Sequence, residues 1–188
     1  MSSSGSAFVV DNRAEKDTEK VVDYLAKWCN AADRFDIATG YFEIGALRKL
    51  DGQWQKLDKI RILMGDETSN QTKSTIMRAI TDKLDKSFDS EKDENHFMHG
   101  VPGIMEAIQS GKIEIRVYSK HKFHAKLYLT HARPELAVVP SIALVGSSNF
   151  TIPGISKNIE LNVRVDPQSQ VKELQNWFEH FWEQGEDV

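Results

Sequence analysis

The chain has 188 residues, 40% of them hydrophobic, with 28 acidic against 24 basic side chains and a formal net charge of -4. That length and apolar content suffice for one compact core, while nothing approaches the roughly 20-residue apolar run that a membrane helix requires. The acidic balance argues against nucleic-acid binding through overall charge, and the single cysteine, Cys29, excludes an intramolecular disulfide and a cysteine zinc site, so a reducing cytoplasm is the expected setting.

The opening Met1-Ser2-Ser3-Ser4-Gly5-Ser6 lacks the basic and apolar regions of a signal peptide, and residues 1–7 are expected to be a flexible tail before one domain spanning 8–188. Val21, Val22, Leu25, Trp28, Cys29 and Ala32 recur at helical spacing, which predicts an amphipathic helix over 16–32 with Cys29 as a buried structural thiol. Phe35 to Phe42 reads as a strand ending near Gly40. A helix from Ile44 to Leu57 follows, with Leu47, Leu50, Trp54 and Leu57 inward, and Lys59 to Gly65 is the next strand. Ile76, Ile80, Leu84 and Phe88 predict a helix over 71–88, whose end merges into a solvated charged stretch from Asp82 to Glu94. Pro102 opens a short helix that stops at Ser110-Gly111. Asp166-Pro167 suits an N-cap and first-turn proline for a last helix striped by Val171, Leu174, Phe178 and Trp182. Helices alternating with strands predict an α/β fold, a mixed β-sheet flanked by helices on both faces, without internal repeat or domain linker.

The chemistry concentrates between the fourth and fifth of these helices. In the strand His124 to Leu129, His124, Lys126 and Tyr128 share one face while Phe123, Ala125, Leu127 and Leu129 share the other, so one face is expected to be buried and one functional. Ile142 to Val145 is apolar without alternation, as in a strand covered on both sides, and it delivers Gly146-Ser147-Ser148-Asn149 at its end. Next, Ile159, Leu161, Val163 and Val165 alternate with Glu160, Asn162 and Arg164, which places Glu160 on a polar face within reach of a neighbouring strand's histidine. An imidazole is nucleophile or proton donor near neutral pH; an ammonium and an amide donate to phosphate oxygens; a carboxylate behind the imidazole fixes its tautomer. The set is complete without a metal or cofactor. A lone His-x-Lys is usually a solvated strand face and a lone Gly-Ser-Ser-Asn usually a turn, so it is their order and company that point to phosphodiester chemistry.

His124-x-Lys126, Gly146-Ser147-x-Asn149 and Glu160 resemble the HxK, GSxN and downstream Glu of the phospholipase D superfamily. The wording Phe-His-Ala-Lys-Leu-Tyr-Leu and Val-Gly-Ser-Ser-Asn-Phe-Thr is similar to the nuclease branch, which includes bacterial nucleases, restriction endonucleases and helicase-associated nuclease domains. The resemblance implies a phospholipase D-like fold and a metal-independent phosphodiesterase. In it His124 attacks phosphorus to form a phosphohistidine, Lys126 and Asn149 clamp the phosphate, Ser147 and Ser148 assist and Glu160 orients His124. It also implies a second histidine, and one HxK motif per chain implies a homodimer sharing one site. Two departures stand out. His131 occupies the position of the family's Asp, five residues after the lysine, and a longer segment from His131 to Pro140, expected to be an extended hairpin loop, precedes the GSxN strand.

Lys112, Arg116, Lys120, Lys122 and Lys126 against Glu114 make a locally basic run that suits a polyanion, with Lys120 and Lys122 as substrate-binding candidates; edge lysines that discourage aggregation are the plain alternative. His96 and His99 lack companions for a metal site, and Thr39, Tyr41 and Phe42 suit either the approach to the site or the core. The leading expectation is a DNA endonuclease, as a homodimer or beside a helicase-type motor. The alternatives are a catalytically silent nucleic-acid-binding or dimerisation module, and a phospholipid or other small phosphodiester hydrolase.

Overall fold

The computed structural model describes residues 8–13, 19–65, 76, 100–132 and 140–188. The expected tail, most of the 71–88 helix, the Asp82 to Glu94 stretch, His96 and His99, and residues 133–139 of the expected hairpin loop lie outside these, although Ile76 is helical and buried.

The strands are β1 (Val9–Val10), β2 (Ala32–Thr39), β3 (Lys59–Met64), β4 (Ile113–Val117), β5 (Lys126–Ala132), β6 (Ala143–Gly146), β7 (Asn162–Val165) and β8 (Glu186–Asp187). Among the described residues they form one mixed sheet in the order β1-β7-β6-β5-β2-β3-β4-β8, with β2, β3 and β4 mutually parallel and every other pairing antiparallel. The helices are α1 (Val21–Cys29), α2 (Ile44–Lys49), α3 (Val101–Gln109), α4 (Ile152–Ser156) and α5 (Gln168–Trp182). One sheet face, carrying Phe35, Ile37, Ile60, Ile62, Tyr128 and Leu144, packs against apolar residues of α1 to α4. The other, carrying Ala38, Leu63, Leu127, Leu129 and Ala143, packs against Val171, Phe178 and Trp182 of α5. Most of β2 and β3 is thus apolar on both faces, as central strands between two helix layers require, with Asp36 and Arg61 as the buried charged exceptions on the α5 side.

The structure corrects several boundaries. The first helix begins at Val21, where Lys20 N–H donates to Asp23 and Val21 N–H to Asn12, and it ends at Cys29, so Ala32 already belongs to β2. The expected 44–57 helix breaks after Lys49: Gly52 takes a positive φ of 74°, and a 3-10 turn at Trp54–Lys56 follows, although all four predicted inward residues are buried. Pro167 is the N-cap of α5 rather than its first-turn residue, and Asp166 instead accepts from Arg164. The face bearing Tyr128 is not open, because Tyr128 is fully buried. In the 159–165 segment only Asn162–Val165 is strand; Ile159 and Leu161 are 82% and 64% exposed because β1 pairs no further than Val163 and Asn162.

Candidate active site

Three chain segments converge at the end of β2. Thr39 pairs with Lys126 in the β2–β5 ladder, and its hydroxyl donates to Tyr41 O (2.8 Å) while accepting from Phe150 N–H (2.9 Å), which ties β2 to the loop after β6. Phe42 stacks on Phe150 with ring centres 5.7 Å apart, fixing the same junction from below. Thr39 and Phe42 are therefore framework, both with no exposed surface.

Lys126 opens β5, is largely buried, and its ammonium donates to His124 O and His124 Nδ1, each at 2.9 Å. His124 precedes the strand and is exposed. An ammonium has only protons to give, so Nδ1 is the acceptor and the neutral ring carries its proton on Nε2. Burial pushes the Lys126 pKa below the usual lysine value, partly opposed by the charge of Glu160. Gly40 makes this arrangement possible: a Cβ there would stand 3.2 Å from His124 Cα and 3.3 Å from Lys126 Nζ.

The loop Gly146 to Asn149 is shaped with equal closeness. A Cβ on Gly146 would meet Leu161 O at 2.2 Å, so only glycine fits beside β7. Asn149 Oδ1 accepts from Tyr41 N–H at 3.1 Å. A main-chain N–H can only donate, so the amide is oriented and its NH2 end keeps donors for a ligand. Ser147 is exposed, donates its hydroxyl to Glu160 and accepts from Leu161 N–H at 3.0 Å. Ser148 does not stand at a substrate surface: it has no exposed area, and its hydroxyl accepts from Asn162 Nδ2 at 2.9 Å.

Glu160 accepts from Ser147 and, at 3.4 Å, from Asn158; among the described residues it has no hydrogen bond to His124, contrary to the orienting contact expected. Its charge nonetheless reaches Lys126 and Tyr128. The basic run is largely tied down. Lys112 donates to Gln55 O, Arg116 to Asp187 and Trp182 O, and Lys120 to Gln184 at 3.4 Å, while Glu114 pairs with Lys59. Lys120 and Lys122 are exposed on the segment leading to His124.

Residue-by-residue reading missed the supports. Asn162, read as one polar position on a strand face, is fully buried; its side chain accepts from Ser148 N–H and donates to Ser148 Oγ and Val10 O. Tyr128 OH donates to Ser148 O at 2.9 Å. The available signal was a polar residue interrupting an otherwise apolar set, which a buried strand tolerates only when its hydrogen bonds are met. His131, in place of the family Asp, meets a carboxylate all the same, since its Nε2 is 2.5 Å from Asp36 Oδ2 on the adjoining strand.

The family model described as Cardiolipin synthase, PLD-like domain, matches residues 24–182. The chain belongs to the phospholipase D-like family. Phospholipase D-like structures share its fold. A phospholipase D family member, Nuc, from Salmonella typhimurium has a TM-score of 0.56 and 14% identity, covering 96% of this chain and 97% of that one. NucT from Helicobacter pylori has a TM-score of 0.53 and 11% identity, covering 89% and 91%. The phosphatidylserine synthase of Haemophilus influenzae Rd KW20 has a TM-score of 0.55 and 12% identity, covering 96% of this chain but 39% of that one. No curated protein sequence matches the chain. Membership in the phospholipase D-like family carries a phosphodiesterase fold, and no helix among the described residues is long and apolar enough to cross a membrane.

Proposed function

We propose that the protein is a DNA nuclease that hydrolyses phosphodiesters through a phosphohistidine, working as a homodimer with one shared site. The observation that carries this reading is the orientation of Asn149: with its oxygen held by Tyr41 N–H, its NH2 end is free to pair with a phosphate beside the His124–Lys126 couple. A phosphate oxygen draws the Lys126 ammonium off Nδ1, water takes the proton from Nε2 while Nδ1 gains one from water, and the bared Nε2 attacks phosphorus. The bond from phosphorus to the leaving oxygen breaks, and that oxygen takes a proton from His124 of the partner subunit. Water then attacks the phosphorus–nitrogen bond, passes its proton to the same second histidine, and releases a phosphate monoester and the free imidazole. Glu160 becomes the partner of the Nδ1 proton by leaving Ser147, and Ser147 turns to the phosphate. Lys126 and Asn149 supply donors where negative charge accumulates, a role that calls on no metal ion.

Two features support the dimer and the polymer. Ile159 and Leu161 flank Glu160 with most of their surfaces bare, an apolar rim beside a site that holds one histidine among the described residues. Lys120 and Lys122 lie on the approach to His124, where they can pair with flanking phosphates. The test is cleavage of DNA in excess EDTA, with trapping of phosphorylated protein. The expected result is cleavage and an acid-labile label, both lost in His124→Ala. Duplex binding without cleavage would instead make the chain a silent binding module, and preference for a choline phospholipid over every polynucleotide would move it to lipid chemistry.

A further inference from the structure

His124 is exposed and lies outside every strand, and it makes no main-chain hydrogen bond to a described main-chain group, yet its reaction needs a fixed imidazole. Beyond the Lys126 ammonium on its carbonyl and ring, its main chain is held by packing on two sides. On one side stand the glycines at the ends of β2 and β3: a Cβ on Gly40 would approach His124 Cα to 3.2 Å, and a Cβ on Gly65 would approach Phe123 O to 2.9 Å. On the other side Phe123, nearly buried, is held in an aromatic socket. Its ring centre is 6.1 Å from Trp177 in a stacked pair, 6.1 Å from Phe181 and 5.6 Å from Tyr118, and Trp177 and Phe181 are themselves 4.7 Å apart.

Trp177 and Phe181 belong to α5, whose side chains form no hydrogen bond with His124, Lys126 or Asn149 among the described residues. The helix is anchored independently. Arg61 on β3 reaches Glu179 at 2.6 and 3.0 Å, holds Asp36 through two more hydrogen bonds, and lies over the rings of Phe178 and Trp182 at 5.0 and 5.1 Å. Phe123 and His124 are adjacent in the chain, their Cα atoms about 3.8 Å apart, so a ring gripped at Phe123 restrains the main chain from which the imidazole projects.

We propose that Trp177 and Phe181 are positioning residues for His124: the α5 socket clamps Phe123 and through it aims the imidazole at the phosphate. This rests on the phosphodiesterase reading for its kinetic consequence but not for its structural one. Displacing a reacting group by about 1 Å costs up to about a hundredfold in rate while leaving binding groups in place. Trp177→Ala is therefore expected to lower kcat on bis(p-nitrophenyl) phosphate by at least about tenfold with KM within about twofold, and Trp177→Phe to recover most of the rate. Trp28→Ala on α1, a nearly buried aromatic on the opposite layer, serves as the control for lost packing. It is expected to lower the thermal midpoint yet leave the kcat of the folded fraction unchanged. A second readout needs no turnover: nitrogen NMR of labelled histidine, with the His124 signals assigned by their loss in His124→Ala. Those signals should shift in Trp177→Ala and in Phe181→Leu and return in Trp177→Phe. Unmoved His124 signals in folded Trp177→Ala would overturn the proposal, as would a kcat that tracks only the folded fraction. Shifted signals in a chain whose parent hydrolyses no phosphodiester would sustain the positioning and sink the phosphodiesterase reading.

Discussion

Asn149 shows how much one hydrogen bond decides. Because Tyr41 N–H fixes the amide oxygen, Asn149→Asp keeps an acceptor there and changes only the outward end, from a donor to an anion. The variant is expected to fold with a thermal midpoint near that of the parent while losing phosphodiester hydrolysis about a hundredfold or more, checked by melting and turnover on one preparation. An equal loss of stability would mean that the amide is structural. Tyr128→Phe tests the opposite case. It strips the Ser148 carbonyl of its buried donor, at a cost of about 1–3 kcal/mol readable in urea unfolding. Gly146→Ala is harsher, since the new methyl meets Leu161 O at 2.2 Å and Asn162 Cα at 2.6 Å, main-chain atoms at the start of β7, so the loop must shift and activity should fall with stability. Of these residues, His124, Lys126, Gly146, Asn149 and Glu160 were legible in the sequence because each is a chemical type in a recognisable order. Asn162, Tyr128, Thr39 and Gly40 were not, because their roles arise from partners far away in the chain.

Between elements, a buried charge cluster under α5 ties β2, β3 and β5 to the helix. Asp36 is almost wholly buried on β2, held by two hydrogen bonds from Arg61 and one contact with His131. Burial alone would raise its pKa, but the Arg61 and His131 contacts outweigh it and hold the carboxyl below the usual value. A group whose folded pKa is depressed stabilises the protein above its unfolded value, about 3.9, and that contribution disappears as pH falls through the folded pKa. The thermal midpoint should therefore drop on acidification below about pH 4, and Asp36→Asn should flatten that limb. At neutral pH, Asp36→Asn leaves Arg61 short of its buried partner and should cost about 3–5 kcal/mol. A wild-type acid limb unchanged in Asp36→Asn would show that other carboxylates govern it. The stripe that predicted α5 was plain in the sequence, from Val171 to Trp182. Its Glu179 contact and its grip on Phe123 were not, since a helical period reveals which face is buried but not what covers it.

For the whole molecule the decisive quantity is the number of histidines per site. If two copies share one site, activity in mixtures of wild type and His124→Ala falls as the square of the wild-type fraction; if each chain acts alone, it falls linearly. The squared dependence is expected. If the proposed dimer closes over that rim, Leu161→Glu beside Glu160 should leave a folded monomer by sedimentation and remove activity. A monomeric Leu161→Glu that still cleaves at the parent rate would show that each chain carries a complete site.

The sequence by itself determined the α/β class, most of the longer elements and the candidate phosphodiester-binding groups, because period, turn chemistry and motif spacing are local properties of the chain. The tertiary structure decided how those groups are buried and paired. It buried Ser148, turned Asn149 outward, paired Glu160 with Ser147 and left Ile159 and Leu161 bare. Those outcomes depend on which strands adjoin and where each pairing stops, and residues more than a hundred positions apart, such as Thr39 and Phe150, settle them by hydrogen bonding across the sheet's end.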